Sequence, residues 1–185
     1  MKTLLWWVQR LFFATAILFL GYCAFVLVDG RLFRNRESRA LAQFRPDQPD
    51  TLQPVSDGLI GDIVIPRLDV SVIVMEGVDD TTLRRAAGHM PGSSLPGQAG
   101  NIAIAAHRDT FFRPLRNIRQ SDMITLTTPS GAYRYRVVSI KVVNPSDVSV
   151  LKSDGTEILT LVTCFPFYFV GAAPKRFIVR AERII

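Results

Sequence analysis

The chain has 185 residues, 48% of them hydrophobic, with 22 Lys and Arg against 16 Asp and Glu and a formal net charge of +6. That length holds one ordinary domain and a short appendage. The basic excess would suit nucleic acid or a membrane surface, but divided at Ser56 it falls equally on both parts and builds no basic block. Cys23 and Cys164 lie too far apart, and His89 and His107 have no cysteine nearby, so zinc-ligand spacing is absent.

Residues 11–28 carry no charge and are dominated by Leu, Phe, Ile, Ala and Val, with Trp6 and Trp7 just upstream. This stretch predicts one transmembrane helix with an aromatic interface anchor. Arg10 interrupts the apolar run at its edge, where it can snorkel. The run exceeds a signal-peptide core and lacks a small-x-small cleavage site, and Tyr22 before Cys23 is too bulky for a lipoprotein site. Lys2 and Arg10 flank the upstream end and Arg31, Arg34, Arg36 and Arg39 the downstream end. On charge alone the downstream side is the cytoplasmic one. Pro46, Pro49 and Pro54 then punctuate a stretch rich in Gln, Asp and Ser, which reads as an extended spacer. The expected division is an anchor at 1–30, a linker at 31–57 and a folded domain at 58–185.

Within the domain, residues 59–66 and 70–75 predict a strand pair turning at Arg67, Leu68 and Asp69. Asp79 or Asp80 can cap a short helix running to Ala87 and ended by Gly88. A Gly/Pro/Ser loop follows at 88–100, with His89 as a loop residue making a structural hydrogen bond. Residues 101–107 predict a strand with Ile102, Ile104 and Ala106 on one face and Ala103, Ala105 and His107 on the other, so small residues flank the imidazole. A helical turn at 112–118 precedes strands at 123–128 and 133–143, a loop at 144–156, a strand at 157–164 and a last strand at 175–185. About eight short strands with few helices predict an all-β barrel or sandwich.

The 157–164 strand delivers Cys164 at its end, with Ile158, Thr160 and Val162 on the same face. Both its faces are largely apolar, as in a strand covered on both sides. A cysteine without a partner is more often a small buried hydrophobe than a nucleophile. Three features change that balance: His107 at the end of its own strand beside small residues, Arg176 at the start of the last strand, and the loops around Cys164. A free thiol is only a few per cent thiolate at neutral pH, so it needs a cation beside it, which His107 can supply before donating a proton to a leaving amine. Arg176 can hold the oxygen that turns negative during attack. Taken singly, His107 could be a satisfied backbone-bonded histidine, Arg176 a partner of Glu182, and Arg108 and Asp109 a local ion pair.

Thr160-Leu161-Val162-Thr163-Cys164, Lys175-Arg176-Phe177-Ile178-Val179 and Ala105-Ala106-His107 together resemble the signature of the sortases, and His107 to Leu115 resembles the class D version. The resemblance implies an eight-stranded sortase-type β-barrel with short helices behind one N-terminal transmembrane helix. It implies that Cys164 attacks a Leu-Pro-x-Thr-type sorting motif to give a thioester, with His107 as acid and then base and Arg176 at the oxyanion. Ala105 and Val162 match substrate-lining positions. The implied partners are a motif-bearing protein and an amine acceptor, either cell-wall peptide or protein, with the catalytic domain outside the bacterial cytoplasmic membrane, against the charge count. Where the family often has Gly before the histidine, this chain has Ala106. No cofactor is implied; calcium, which some members bind, would find only Asp147, Asp154 and Glu157 in the corresponding loop. Two other readings stand beside this one: a thiol hydrolase that releases its acyl group to water, and a non-enzymatic binding or scaffolding barrel.

Overall fold

The computed structural model describes residues 6–24, 58–153, 155–168 and 171–184. The expected linker at 31–57 lies outside the described residues. The chain divides into two units, one carrying an N-terminal helix and the other a β-domain.

The helix, α1 (Trp6–Ala24), has 19 residues. At 1.5 Å per residue it is about 28 Å long, close to the thickness of a bilayer's hydrocarbon core. Its apolar side chains are exposed, Phe12 and Leu18 by more than 70%. The one hydroxyl in its middle, Thr15, is folded back onto the Leu11 and Phe12 carbonyls at 3.0 and 2.9 Å. Arg10 lies 3.9 Å from the centre of the Trp6 ring, a cation–π contact at the polar end. These properties make α1 a candidate membrane span.

The β-domain is an eight-stranded closed barrel in the order β1-β2-β3-β4-β7-β8-β6-β5. The strands are β1 (Leu59–Ile65), β2 (Val70–Glu76), β3 (Ala87–His89), β4 (Gly100–Ala105), β5 (Met123–Thr128), β6 (Gly131–Val143), β7 (Glu157–Phe165) and β8 (Lys175–Ile184). β1 pairs with β5 to close the ring. All ladders are antiparallel except β2 with β3 and β4 with β7. The interior is filled by alternate residues, among them Ile63, Ile65, Ile102, Ile104, Leu126, Leu159, Leu161 and Val179. This is the period-two pattern of strands with one face inward. As the sequence suggested for β7, its outward residues Ile158 and Thr160 are buried as well.

The expected loop at 144–156 contains a 3₁₀ segment, Val148–Leu151, and β6 begins at Gly131 rather than 133; two further differences concern where strands form and end. Asp79 does cap the short helix α2 (Asp80–Arg85), accepting from the Thr81 and Thr82 amides at 2.9 and 3.1 Å. The helix ends at Arg85, however, and residues expected in its last turn and the following loop form β3 instead. Val74 pairs with Ala87, and Glu76 with His89. Three residues carry no readable period, and burial of Ala86 and Ala87 outweighs their helix propensity. Gly88 is required there, because a side chain would collide with the Gly77 carbonyl. The other difference is at β4, which ends at Ala105, so His107 lies two residues beyond the strand rather than on it.

Candidate active site

The parallel β4–β7 ladder sets Ala105 beside Val162. One residue further the chains still touch, because the Ala106 amide donates to the Val162 carbonyl at 3.2 Å. The buried Thr163 hydroxyl donates to the Ala106 carbonyl at 2.7 Å. Ala106 is thus clamped by both of its backbone groups to the end of β7. His107 follows directly, and its carbonyl accepts from the Phe112 amide at 3.1 Å, closing the turn that leads to the 3₁₀ segment Arg113–Asn117.

On the other side of β7 the antiparallel ladder places Arg176 of β8 opposite Cys164, and Val162 opposite Ile178. Opposed residues of a ladder share a face, with Cβ atoms about 4.5–5.5 Å apart. Arg176 Nη1 is held by the carbonyls of Ala173 and Lys175 at 3.3 and 3.1 Å. Glu182, the partner considered for Arg176, is six residues away along β8 and registers with Arg136 and Ile158.

The exposure pattern isolates this patch. Along one face of β7, Ile158 and Thr160 are buried, whereas Val162 and Cys164 are half-buried. β4 opens in the same way, buried through Ile104 and half-buried at Ala105. His107 and Arg176 are half-buried too. Ala105, Val162, Cys164 and Arg176 therefore lie at the open end of one three-strand surface, His107 follows two residues beyond β4, and Cys164 is a free thiol. The loop after β7 packs down through Phe165, Phe167 and Phe177, whose rings lie 5.1–6.2 Å apart. Arg108 Nη2 donates to the Gly171 carbonyl at 3.0 Å, joining the loop after β4 to the loop after β7.

A second constellation has the outline of a nucleophile array. His89 Nδ1 lies 2.7 Å from Glu76 Oε2, and Nε2 lies 2.9 Å from Ser93 Oγ. Its chemistry is structural. Ser93 Oγ donates to the Met90 carbonyl at 2.7 Å and accepts from the Ala103 amide at 3.2 Å, and His89 Nε2 also faces the Ser94 carbonyl at 3.0 Å. With its proton directed at a backbone carbonyl and His89 2% exposed, this hydroxyl is not set up to attack a substrate. The structural role expected for His89 holds, although the residue sits at the end of β3 rather than in a loop.

The carboxylates are otherwise engaged. Asp147 accepts from Ser149 N and Oγ, at 3.1 and 2.5 Å. Glu157 accepts from Tyr135 at 2.5 Å and lies 3.6 Å from Arg183. Burial, then the Glu157 contact, pushes the Tyr135 phenol far above its usual value. Among the described residues no three His, Cys, Asp or Glu side chains gather as metal ligands; Asp154 lies outside those residues. Sequence reasoning missed Thr163 and Arg108, because their partners are carbonyls distant in sequence.

Comparison with known proteins yields one family. The profile of the sortase domain matches residues 63–184. The chain is 28% identical over 187 residues to sortase D of Bacillus subtilis, covering 92% of this chain and 94% of that protein. It is 29% identical to sortase A of Listeria monocytogenes over 71% of this chain and 64% of that one. Among solved structures, a Clostridium perfringens sortase D5 transpeptidase superposes with a TM-score of 0.63 at 27% identity, covering 82% of this chain and 89% of that one. Sortase C-1 from Streptococcus pneumoniae gives 0.67 at 26% identity over 76% and 75%.

Proposed function

The chain belongs to the sortase family, and from that premise we propose that it is a cysteine transpeptidase, tethered by α1 in the bacterial cytoplasmic membrane with its barrel on the outer side. The substrate is a protein bearing a Leu-Pro-x-Thr-type motif. The acceptor is an amine of cell-wall peptide or of another protein, so the product is a protein fixed to the cell surface or to a second protein.

The observation that carries this reading is the meeting of three strand ends: Cys164 opposite Arg176 on one side of β7, and the clamped Ala106 leading into His107 on the other. Cys164 attacks the scissile carbonyl through sulfur, and the negative charge that develops on oxygen is met by Arg176. The C–N bond breaks as His107 gives a proton to the leaving amine, which leaves a thioester on Cys164. The acceptor amine then attacks that thioester, His107 takes up its proton, and the thiolate departs. Ala105 and Val162 are small enough to let the motif lie flat against β4 and β7.

The test uses the full chain in detergent with a motif peptide. Mass spectrometry should find a thioester adduct on Cys164, and Cys164→Ala should abolish cleavage while leaving the circular dichroism spectrum unchanged. Turnover by that variant would refute the proposal. Added amine should divert product from free acid to ligated peptide; a product that stays free acid would instead mark a hydrolase. An intact fold with neither adduct nor cleavage would leave a binding barrel.

A further inference from the structure

A cleft of about 590 Å³ is lined by three arginines, Arg67, Arg116 and Arg119, and by no acidic residue. Behind it the buried Asp122 accepts from Arg67 Nε and Nη2, both at 2.5 Å, and from the Arg119 amide at 2.8 Å. Arg67 Nη2 also donates to the Asn117 carbonyl at 2.6 Å. One carboxylate against three guanidiniums leaves two positive charges in excess. Arg67 is fixed in place before any ligand arrives, and Arg116 and Arg119 are exposed.

Strand directions place this cleft. β4 and β7 run parallel and finish together at Ala105 and Phe165, and β8 begins at that end. β6 finishes there, since Val143 pairs with Arg176. β5 therefore starts, and β1 finishes, toward the same end of the barrel. The 3₁₀ segments Pro66–Leu68 after β1, which holds Arg67, and Arg113–Asn117 after β4, which holds Arg116 and is followed shortly by Arg119, stand toward the rim that carries Cys164. The link is also direct, because the Arg116 guanidinium lies 5.4 Å from the centre of the Tyr168 ring, four residues beyond Cys164.

We propose that the Arg67–Arg116–Arg119 cleft seats carboxylates of the incoming amine acceptor, so that the enzyme selects acidic peptide amines. This rests on the transpeptidase reading and adds a preference to its second step. The guanidinium forks of Arg116 and Arg119 match a carboxylate bidentately, while Arg67, whose Nε and Nη2 are taken by Asp122 and Asn117, adds fixed positive charge. A volume of this size suits a ligand of a few residues rather than a membrane surface or an extended polyanion.

The test titrates the full chain in neutral detergent, without donor substrate, with a short lysyl peptide carrying two free carboxylates and with its bis-amide. The acid should bind about tenfold more tightly than the amide at low salt, and the difference should shrink as salt rises and vanish in an Arg116→Gln, Arg119→Gln double variant. In ligation, that variant should raise KM about tenfold for the acid and less than twofold for the amide. Equal binding of acid and amide, or a preference that survives the double substitution, overturns the proposal. So do vesicles of anionic phospholipid that bind more tightly than the acid with the same dependence on the arginines. Selective binding of the acid by a chain that cleaves no motif peptide would strike the transpeptidase reading and leave the anion site standing. Cleavage with no acid preference would remove the cleft's role alone.

Discussion

Cys164 and Arg176 are opposed residues of the β7–β8 ladder, and the pair falls where the outward face of β7 changes from buried to half-buried. A thiol and a guanidinium are thereby fixed to one face by backbone hydrogen bonds rather than by loop conformation. Arg176→Ala should slow thioester formation by roughly 10²–10³-fold, the usual cost of losing an oxyanion donor. Arg176→Lys should recover little of that, since a point charge on a flexible stem does not reproduce the planar fork. Stopped-flow acylation measures both. The melting temperature should hardly change, because the side chain is outside the core.

Thr163→Val keeps shape and removes the hydroxyl that holds the Ala106 carbonyl. Stability should fall by about 1–2 kcal/mol, the cost of a buried acceptor left without its donor. Acylation should slow as well, because the residue before His107 is released. Thr163→Ser should restore both, and a variant that loses stability but keeps full acylation would show that the clamp does not position His107.

His89→Ala should lower stability by roughly 2 kcal/mol or more, since it strands Glu76 and Ser93 together in a mostly buried site. Below its melting point the variant should acylate at the wild-type rate. A large loss of rate in folded protein would contradict the structural assignment of this cluster.

The Arg67 hydrogen bonds, then the Arg119 amide and the nearby guanidinium charges, hold the Asp122 carboxyl below its usual value despite the opposing effect of burial. An unfolded chain therefore takes up this proton more readily than the folded one. The stabilisation is complete above the ordinary carboxylate pKa of about 3.9 and is lost as the pH falls through the lower folded value. Urea midpoints of wild type should exceed those of Asp122→Asn at pH 6–7, and the two should converge as the pH drops below about 4.

The strands that the sequence displayed best were those with long alternating or wholly apolar runs, β4 and β7 above all, because a barrel enforces a period of two on its walls. β3 was hidden: Ala87, Gly88 and His89 become a strand only because β2 and β4 leave a gap of that width. The sequence also pointed to Cys164, His107 and Arg176, and the family resemblance to Ala105 and Val162; the ladders place Ala105, Val162, Cys164 and Arg176 on adjoining strand ends, with His107 just beyond β4. What it did not display were contacts made by folding itself. Arg67 and Asp122 are 55 residues apart, and Tyr135 and Glu157 meet across non-neighbouring strands. No spacing rule connects such pairs.

The β4–β7 pairing joins Thr163 to a carbonyl 57 residues upstream, and β8 is the strand that connects β7 to β6. Contacts of that span form late, after long loops have closed. Until then the Ala106 carbonyl lacks its donor and the residue before His107 is not held at the end of β7, whereas Arg176 comes from the adjoining β7–β8 hairpin and can pair early. If Cys164 is the nucleophile proposed above, folding itself acts as its safety catch: a half-assembled chain lacks the placed histidine it would need to capture a passing peptide.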